Sequence, residues 1–291
     1  MKRDFIGKTV FLVAFVAILV VSVYGFSGKM MQERHDAQNK TSETTSDKQT
    51  DNNDLKTTGK TTEKTTEPEE KDEWKLPKAT DKLVCFTFDD GPYAPVTNKI
   101  LDTLEKYNGR ATFFVVGDRA DTYSEEIIRA SKMGCEIGTH TYSHVNLNSL
   151  SVPEMQEEIK KSCDVISKYT GKKVKVLRPP EGAANDTVKA NVGMPMALWS
   201  VDSRDWDYRN ADKDYQTVMD NVFDGSIVLM HDLYPATADA IARIIPELAK
   251  QGYKFVTFSE LMKIRGVDVE PGEKYFSATP QTPAEECDNA G

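Results

Sequence analysis

Short apolar runs alternate with longer segments of helical periodicity from Asp81 onward, and this alternation restricts the fold more than any other feature of the sequence. A strand, a helix and a further strand in succession leave the strands parallel, with the helices outside the sheet. The pattern therefore predicts an α/β fold with seven parallel strands in a closed or nearly closed barrel. The predicted strands are 83–88, 111–116, 135–138, 174–177, 196–201, 226–230 and 254–257, and the predicted helices are 95–107, 124–132, 153–169, 212–223 and 236–250.

An uncharged apolar stretch at 9–28 follows a short basic end, 1–8, which contains Lys2, Arg3 and Lys8. Twenty residues in a helix rise about 30 Å, the thickness of a bilayer's hydrocarbon core. Because basic flanks stay in the cytoplasm, the stretch predicts a single-pass signal-anchor with the rest of the chain outside the cell membrane. The alternative is a cleaved signal peptide and a secreted protein, with Gly25 and Ser27 as small residues near a cleavage site.

The composition divides the remaining chain into three parts. Residues 29–80 contain eleven threonines and only seven hydrophobic residues, too few to offset the entropy of ordering the chain, so this segment is predicted to be a disordered linker. Residues 81–265 form the predicted domain. Residues 266–291 are rich in Pro, Gly and acidic residues and are expected to pack loosely or not at all.

The formal net charge of −9 argues against a nucleic-acid partner, because no large basic surface is available to replace the counterions of phosphates. The four cysteines contain no CxxC pair and predict neither a zinc knuckle nor a dense disulfide framework. A bridge between Cys85 and Cys135, which fall on predicted neighbouring strands, is an alternative to two buried thiols.

Polar residues cluster where the predicted strands end. Asp89 and Asp90 end the first strand, and two adjacent carboxylates cannot both point inward along a regular strand, so the strand must stop there. His140 and His144 follow the third strand at a spacing common for two imidazoles on one metal. His231 follows the sixth strand, so all three histidines of the domain lie at strand ends.

The segments TFDDGP, HTYSH, RPPEG, DSRDW and LMHD occur in this order between residues 87 and 232. Together they resemble the five motifs of the polysaccharide deacetylases, carbohydrate esterase family 4, whose domain is a distorted seven-stranded barrel. The resemblance covers about 81–265 and does not extend to the linker or the acidic tail.

The resemblance assigns Asp90, His140 and His144 to one divalent metal ion, usually zinc, with cobalt, manganese or iron as alternatives. Two neutral imidazoles and one carboxylate leave an open position for water and a substrate carbonyl. It also implies that Asp89 is the general base and His231 the general acid. Four further roles are implied: Arg178 orients Asp89, Asp205 pairs with His231, Trp206 stacks on a sugar ring, and Leu229 lines the pocket for the acetyl methyl group.

Glu181 departs from the family pattern, which more often has an aromatic residue at this position. In the family the backbone N–H here helps to hold the oxyanion, and a backbone donor survives a change of side chain. Glu181 is therefore expected to affect substrate binding more than catalysis.

These observations predict an outward-facing, membrane-tethered hydrolase that removes acetyl groups from the N-acetylglucosamine of peptidoglycan. It is expected to bind no nucleic acid and to work as a monomer. Chitin oligosaccharides, N-acetylmuramic acid and O-acetylated xylan are alternative substrates. A non-catalytic wall-binding module is the alternative of a different class, which the loss of Asp89 or of a metal ligand would have favoured. A metal-dependent phosphoesterase would call for a more basic cleft or a second metal.

Overall fold

The computed structural model describes residues 74–280, and a fully buried strand, β1 (Lys82–Asp89), lies at the centre of its sheet. After the exposed Lys82, seven consecutive residues of β1 are buried, as expected for a strand covered on both faces. The side chains of Val84, Phe86 and Phe88 face the outer helices, whereas Leu83 and Cys85 pack on the other face. Thr87 and Asp89 continue this second face toward the carboxyl end of the strand.

The strands that pair with β1 are all parallel to it, so their carboxyl ends meet at one edge of the sheet. The order is β3-β2-β1-β6-β5, and β7 pairs with the amino half of β1. A separate parallel pair is formed by β4 and β8. Besides β1, the strands are β2 (Thr112–Val115), β3 (Glu136–Thr139), β4 (Met196–Ala197), β5 (Val201–Asp202), β6 (Ser226–His231), β7 (Tyr253–Phe255) and β8 (Lys274–Tyr275).

The helices cover the outside of the sheet, and the largest core cluster lies between β1 and two of them. The longest helix begins with a capping box between Ser151 and Glu154 and ends at Gly171, which has a φ of 66°. The helices are α1 (Ala94–Lys106), α2 (Ser124–Lys132), α3 (Val152–Thr170), α4 (Asp186–Asn191), α5 (Asp205–Tyr208), α6 (Ala211–Asn221), α7 (Pro235–Lys250) and α8 (Phe258–Ile264).

The α/β class with parallel strands is confirmed, but the strand set differs from the predicted seven. The predicted strand 174–177 is reduced to isolated bridges at Leu177, to Thr139 and to Met196. The predicted strand 196–201 is interrupted and forms β4 and β5. At the interruption, the carbonyl oxygens of Ala197 and Leu198 accept hydrogen bonds from the Arg178 side chain.

The boundary predicted at residue 265 does not match the packing. Residues 266–280, expected to pack loosely, supply β8, which pairs with β4, and Ala278, which is buried. At the other end, Trp74 packs on the core, and the Arg110 guanidinium lies 4.0 Å from its ring centroid. The folded unit therefore includes the start of the predicted tail and the end of the predicted linker.

The predicted signal-anchor at 9–28 and most of the linker lie outside the described residues. Across 74–280, no helix is both long enough and apolar enough to cross a membrane. Cys85 and Cys135 are buried free thiols, and burial raises the pKa of Cys135 to about 11. They behave as small core residues and form no bridge.

Candidate active site

Two adjacent aspartates leave the carboxyl end of β1 in different directions. Asp89 is the last residue of the strand and is buried. Asp90 adopts a left-handed backbone conformation with a φ of 69°, which breaks the alternation of side chains. The two carboxylates therefore approach one cleft from different directions, as the sequence predicts.

Arg178 holds Asp89 and is itself completely buried. Its Nη1 donates to Asp89 Oδ1 at 2.9 Å and to Thr87 Oγ1 at 2.7 Å. Its Nε and Nη2 donate to the carbonyl oxygens of Ala197 and Leu198, each at 2.8 Å. One oxygen of Asp89 is thus fixed, and Oδ2, 3.7 Å from His140 Nε2, faces the cleft.

His140 and His144 face Asp90 across the cleft. Asp90 Oδ1 lies 3.4 Å from His140 Nε2 and 3.0 Å from His144 Nε2. His140 Nδ1 lies 2.7 Å from the carbonyl oxygen of Arg178. Because a carbonyl only accepts, the Nδ1 of His140 carries the hydrogen, and the Nε2 lone pair points at the cleft.

The three side chains fit a divalent metal ion. One ligand atom from each of Asp90, His140 and His144 lies within 4.8 Å of the others. Asp90 Oδ1 is buried and has no hydrogen-bond donor with acceptable geometry, so it is available as a ligand. Burial raises the pKa of Asp90, but the contacts with His140 and His144 outweigh this and hold it well below its usual range. The contact with Asp90 raises the pKa of His144.

The loop that carries the two histidines is fixed by Glu158, which the sequence analysis did not identify. Glu158 Oε2 on α3 accepts hydrogen bonds from the backbone N–H groups of Tyr142 and Ser143, at 3.0 and 2.9 Å. The Lys161 ammonium lies 3.6 Å from the centroid of the Tyr142 ring. An acidic residue in the middle of a long amphipathic helix has no local pattern that distinguishes it from a solvated one.

His231 and Asp205 form a second polar group, and His231 lies on β6, the strand next to the one that ends at Asp89. His231 is paired with Asp89 in the β1–β6 register. Its Nδ1 lies 2.7 Å from Asp205 Oδ1, and its backbone N–H donates to Asp205 Oδ2 at 2.8 Å. Thr237, which the sequence analysis also missed, donates to Asp205 Oδ2 at 2.6 Å.

The surroundings of His231 favour its charged form. Burial by itself lowers the pKa of the imidazole, but the hydrogen bond and the charge of Asp205 raise it to about 9, with smaller contributions from Asp89 and Asp90. Asp205 is completely buried and occupied by three donors, so it cannot turn away from the ring. The His231 Nε2 is consequently a proton donor at neutral pH.

Asp232 supports the loop after Asp90 and was assigned no role from the sequence. It is buried, and its Oδ2 accepts from Thr97 Oγ1 at 2.5 Å. A Cβ placed on Gly91 would come within 1.9 Å of Asp232 Oδ1, so only glycine allows the backbone to lie this close. Burial raises the pKa of Asp232 to about 7.

The three residues predicted to bind substrate all lie around this cleft. Trp206 is 48% exposed on α5, directly after Asp205. Leu229 lies two residues before His231 on β6, so it faces the same side of the sheet, and it is 5% exposed. Glu181 has a left-handed backbone with a φ of 62°, and its Oε2 accepts from Asn146 Nδ2 at 2.6 Å.

Comparisons with known proteins agree with this geometry. The family described as polysaccharide deacetylase matches residues 77–197. The chain is 44% identical to the peptidoglycan-N-acetylmuramic acid deacetylase PdaC of Bacillus subtilis over 184 residues, 63% of this chain and 39% of that protein. It is 36% identical to a peptidoglycan-N-acetylglucosamine deacetylase of Bacillus cereus over 200 residues, 66% of this chain and 93% of that protein.

Solved structures of deacetylases and esterases are also similar to this chain. The structure of Bacillus subtilis PdaC aligns with a TM-score of 0.64 and 43% identity, covering 65% of this chain and 94% of that one. A family 4 acetyl xylan esterase from Clostridium thermocellum, in complex with a cobalt ion, aligns with a TM-score of 0.64 and 37% identity, covering 67% and 98%.

The chain spans about two fifths of the length of the Bacillus subtilis relative but nearly all of the Bacillus cereus one. The family match at 77–197 contains Asp89, Asp90, His140, His144 and Arg178, and the resemblance found in the five motifs is confirmed. The chain belongs to the polysaccharide deacetylase family, carbohydrate esterase family 4.

Proposed function

We propose that this protein hydrolyses the acetamido group of N-acetylglucosamine in peptidoglycan, releasing acetate. The observation that carries the proposal is the arrangement of two opposed polar groups at one sheet edge. Asp90, His140 and His144 lie on one side, His231 with Asp205 lies on the other, and Asp89 stands between them. Amide hydrolysis requires a proton acceptor and a proton donor on either side of one carbonyl carbon.

The three proposed metal ligands would hold the Lewis acid of the proposed reaction. A divalent cation held by Asp90, His140 and His144, zinc being the ion we propose, would lower the pKa of a water molecule and polarise the acetyl carbonyl. Cobalt, manganese and iron are alternatives for the same donor set. The buried His140 keeps its Nε2 directed at this position through its bond to the Arg178 carbonyl.

Asp89 is the general base in this proposal. Arg178 occupies its Oδ1, so Oδ2 is the atom that accepts the proton of the attacking water. The backbone N–H of Glu181 is the proposed donor to the oxyanion that forms on the acetyl oxygen. The Arg178 side chain thus holds the base that acts on the water oxygen, and the Glu181 backbone N–H is the proposed donor to the acetyl oxygen.

His231 is the general acid. Its charged imidazole gives a proton to the departing nitrogen, because an unprotonated nitrogen would have to be expelled as an unstable anion. Trp206, exposed at the mouth of the cleft, provides a face for the sugar ring, and Leu229 lines the position of the acetyl methyl group. All of these groups belong to one chain, which supports a monomer as the working unit.

The names of the relatives support peptidoglycan as the substrate. The Bacillus cereus relative is named for deacetylation of N-acetylglucosamine. The predicted signal-anchor at 9–28 and the linker would place the domain outside the membrane, where peptidoglycan lies. We propose this location for the full chain. Fractionation tests it: the full chain should remain with membranes after a salt wash, and recovery in the medium with a new N-terminus near Gly28 would show a cleaved signal instead.

Acetate release tests the function directly. We expect the purified protein, loaded with zinc, to release acetate from peptidoglycan, and to release less from chitin oligomers and acetylxylan. A parallel assay for phosphate release from a phosphomonoester serves as the control for the phosphoesterase alternative. Absence of acetate from all three glycans would refute the proposal and favour a binding module.

Substitutions separate the metal ligands from the base. Asp90→Ala and His140→Ala should each remove bound metal and activity together. Asp89→Asn should keep the metal while lowering kcat by about a hundredfold or more, because the amide oxygen still accepts from Arg178 but Oδ2 is lost as a base. Metal content is measured by elemental analysis, with Asp164→Asn on the exposed face of α3 as the control. Equal metal loss in all three variants would contradict the division of roles.

The pH profile tests the acid. Since the pKa of His231 is raised to about 9, kcat/KM should fall as pH rises through that value and the proton is lost. Asp205→Asn removes the neighbouring charge, so the basic limb should move to lower pH by about one unit. Thr237→Val removes a hydrogen bond to Asp205 but keeps its charge, and its limb should stay. An unshifted limb in Asp205→Asn, with metal retained, would assign the limb to another group.

A further inference from the structure

An aromatic surface with an exposed arginine borders the cleft on the His231 side, and apart from Trp206 it has no part in the function proposed above. We call it the basic rim and define it as Trp206, Arg209 and Tyr234. The Tyr234 ring lies 5.9 Å from the His231 ring, centroid to centroid, so the rim begins next to the proposed acid. Trp206 and Arg209 are exposed.

Arg209 is held rigidly within the rim. Its guanidinium carbon lies 3.4 Å from the centroid of the Tyr234 ring, and its Nε donates to the carbonyl oxygen of Trp206 at 2.9 Å. A guanidinium fixed over an aromatic face presents its two Nη groups outward in one plane, the geometry that matches a carboxylate. Little side-chain entropy then remains to be lost when an anion binds.

The backbone of Arg209 is also unusual. It has a φ of 47°, a left-handed conformation that is unfavourable for a residue with a Cβ and is normally adopted by glycine or asparagine. Arg204, at the other end of α5, has a φ of 58°. Strained residues of this kind gather at binding sites, where surrounding contacts hold them in place.

The charge of Arg209 is not neutralised by the protein. Its neighbour Arg204 forms an ion pair with Asp207 at 2.8 Å, and Arg243 on α7 forms one with Asp212 at 2.5 Å. Within residues 74–280, no carboxylate lies at ion-pair distance from Arg209 or Lys213.

One acidic side chain lies near the two histidines of the proposed metal site. Glu181 is exposed there and held by Asn146, and its charge contributes to raising the pKa of His144, after the larger effect of Asp90. A substrate with a carboxylate on one side would therefore be repelled by the Glu181 wall and attracted to the basic rim. The two walls together fix the direction in which an asymmetric anionic chain enters.

We propose that Arg209 binds a carboxylate carried by the sugar next to the one that is deacetylated. The inference rests on the proposed function and narrows its substrate class to a glycan with anionic substituents. In peptidoglycan such a carboxylate comes from the lactyl ether of the neighbouring sugar or from the peptide attached to it. Chitin oligomers carry neither group.

The test compares kcat/KM on three oligosaccharides of equal length. One is neutral chitin, one is a peptidoglycan glycan with free lactyl carboxylates, and one carries the peptide stems. Arg209→Gln should lower the ratio of kcat/KM, anionic over neutral, by about fivefold, as for one partly exposed ion pair. Arg209→Lys should retain part of the ratio. The matched control is Arg243→Gln, which removes a cation lying 4.5 Å from the Tyr215 ring but away from the cleft, and should keep the ratio.

The two peptidoglycan substrates identify the source of the carboxylate. A loss confined to the free lactyl glycan assigns the contact to the lactyl group, and a loss confined to the third substrate assigns it to the peptide. High salt should reduce the ratio of the unmodified protein and have less effect on Arg209→Gln, because ions screen an exposed charge pair.

An unchanged ratio in Arg209→Gln, or an equal loss on anionic and neutral glycans, would overturn the inference while leaving the deacetylase function intact. If the unmodified protein releases acetate from no glycan, the proposed function fails instead. Calorimetric binding of the free lactyl and the stem-bearing glycans then decides the inference by itself: about fivefold weaker binding of either to Arg209→Gln supports it, and equal affinity for both overturns it.

Discussion

The buried guanidinium of Arg178 is the interaction on which the rest of the site depends. Removing an ion pair from water costs several kcal/mol per charge, and good geometry with further hydrogen bonds is needed to offset that cost. Arg178 makes four hydrogen bonds, to Asp89, Thr87 and the carbonyl oxygens of Ala197 and Leu198. Its own carbonyl oxygen fixes the ring of His140, so one residue orients both the proposed base and a metal ligand.

Left-handed backbone conformations are the second feature that shapes the cleft. Most of the non-glycine residues with positive φ in the described chain lie at or beside it, and each bends the backbone so that a side chain leaves the regular direction. Such conformations are strained and persist only where surrounding contacts hold them. The residues at the cleft are Asp90, Thr141, His144, Glu181, Arg204 and Arg209.

Charge is distributed unevenly around these residues. The carboxylates of Asp90 and Glu181 lie on one wall, where the proposed metal ion would offset their charge, while His231 and the basic rim place positive groups on the other. Asp205 is fully buried and hydrogen-bonded to His231, so its charge balances that of the imidazole.

The sequence by itself determined the chemistry and where it sits. The strands end at Asp89, at Thr139 before His140, and at His231. Parallel strands bring those ends to one edge, so the proposed metal ligands could be grouped without coordinates. The five motifs added the family and the other proposed roles.

Only the tertiary structure decided how these residues are supported. The contact of Asp205 with Thr237, that of Glu158 with the histidine loop, and the close approach of Gly91 to Asp232 join residues far apart in the chain. Periodicity reports which face of an element is buried, but not which distant residue covers it. For the same reason residues 266–280 looked like a loose tail, although β8 pairs with β4 and Ala278 is buried. Such short segments are ordered by the segments they pack against, and their own sequence has no local pattern that predicts this order.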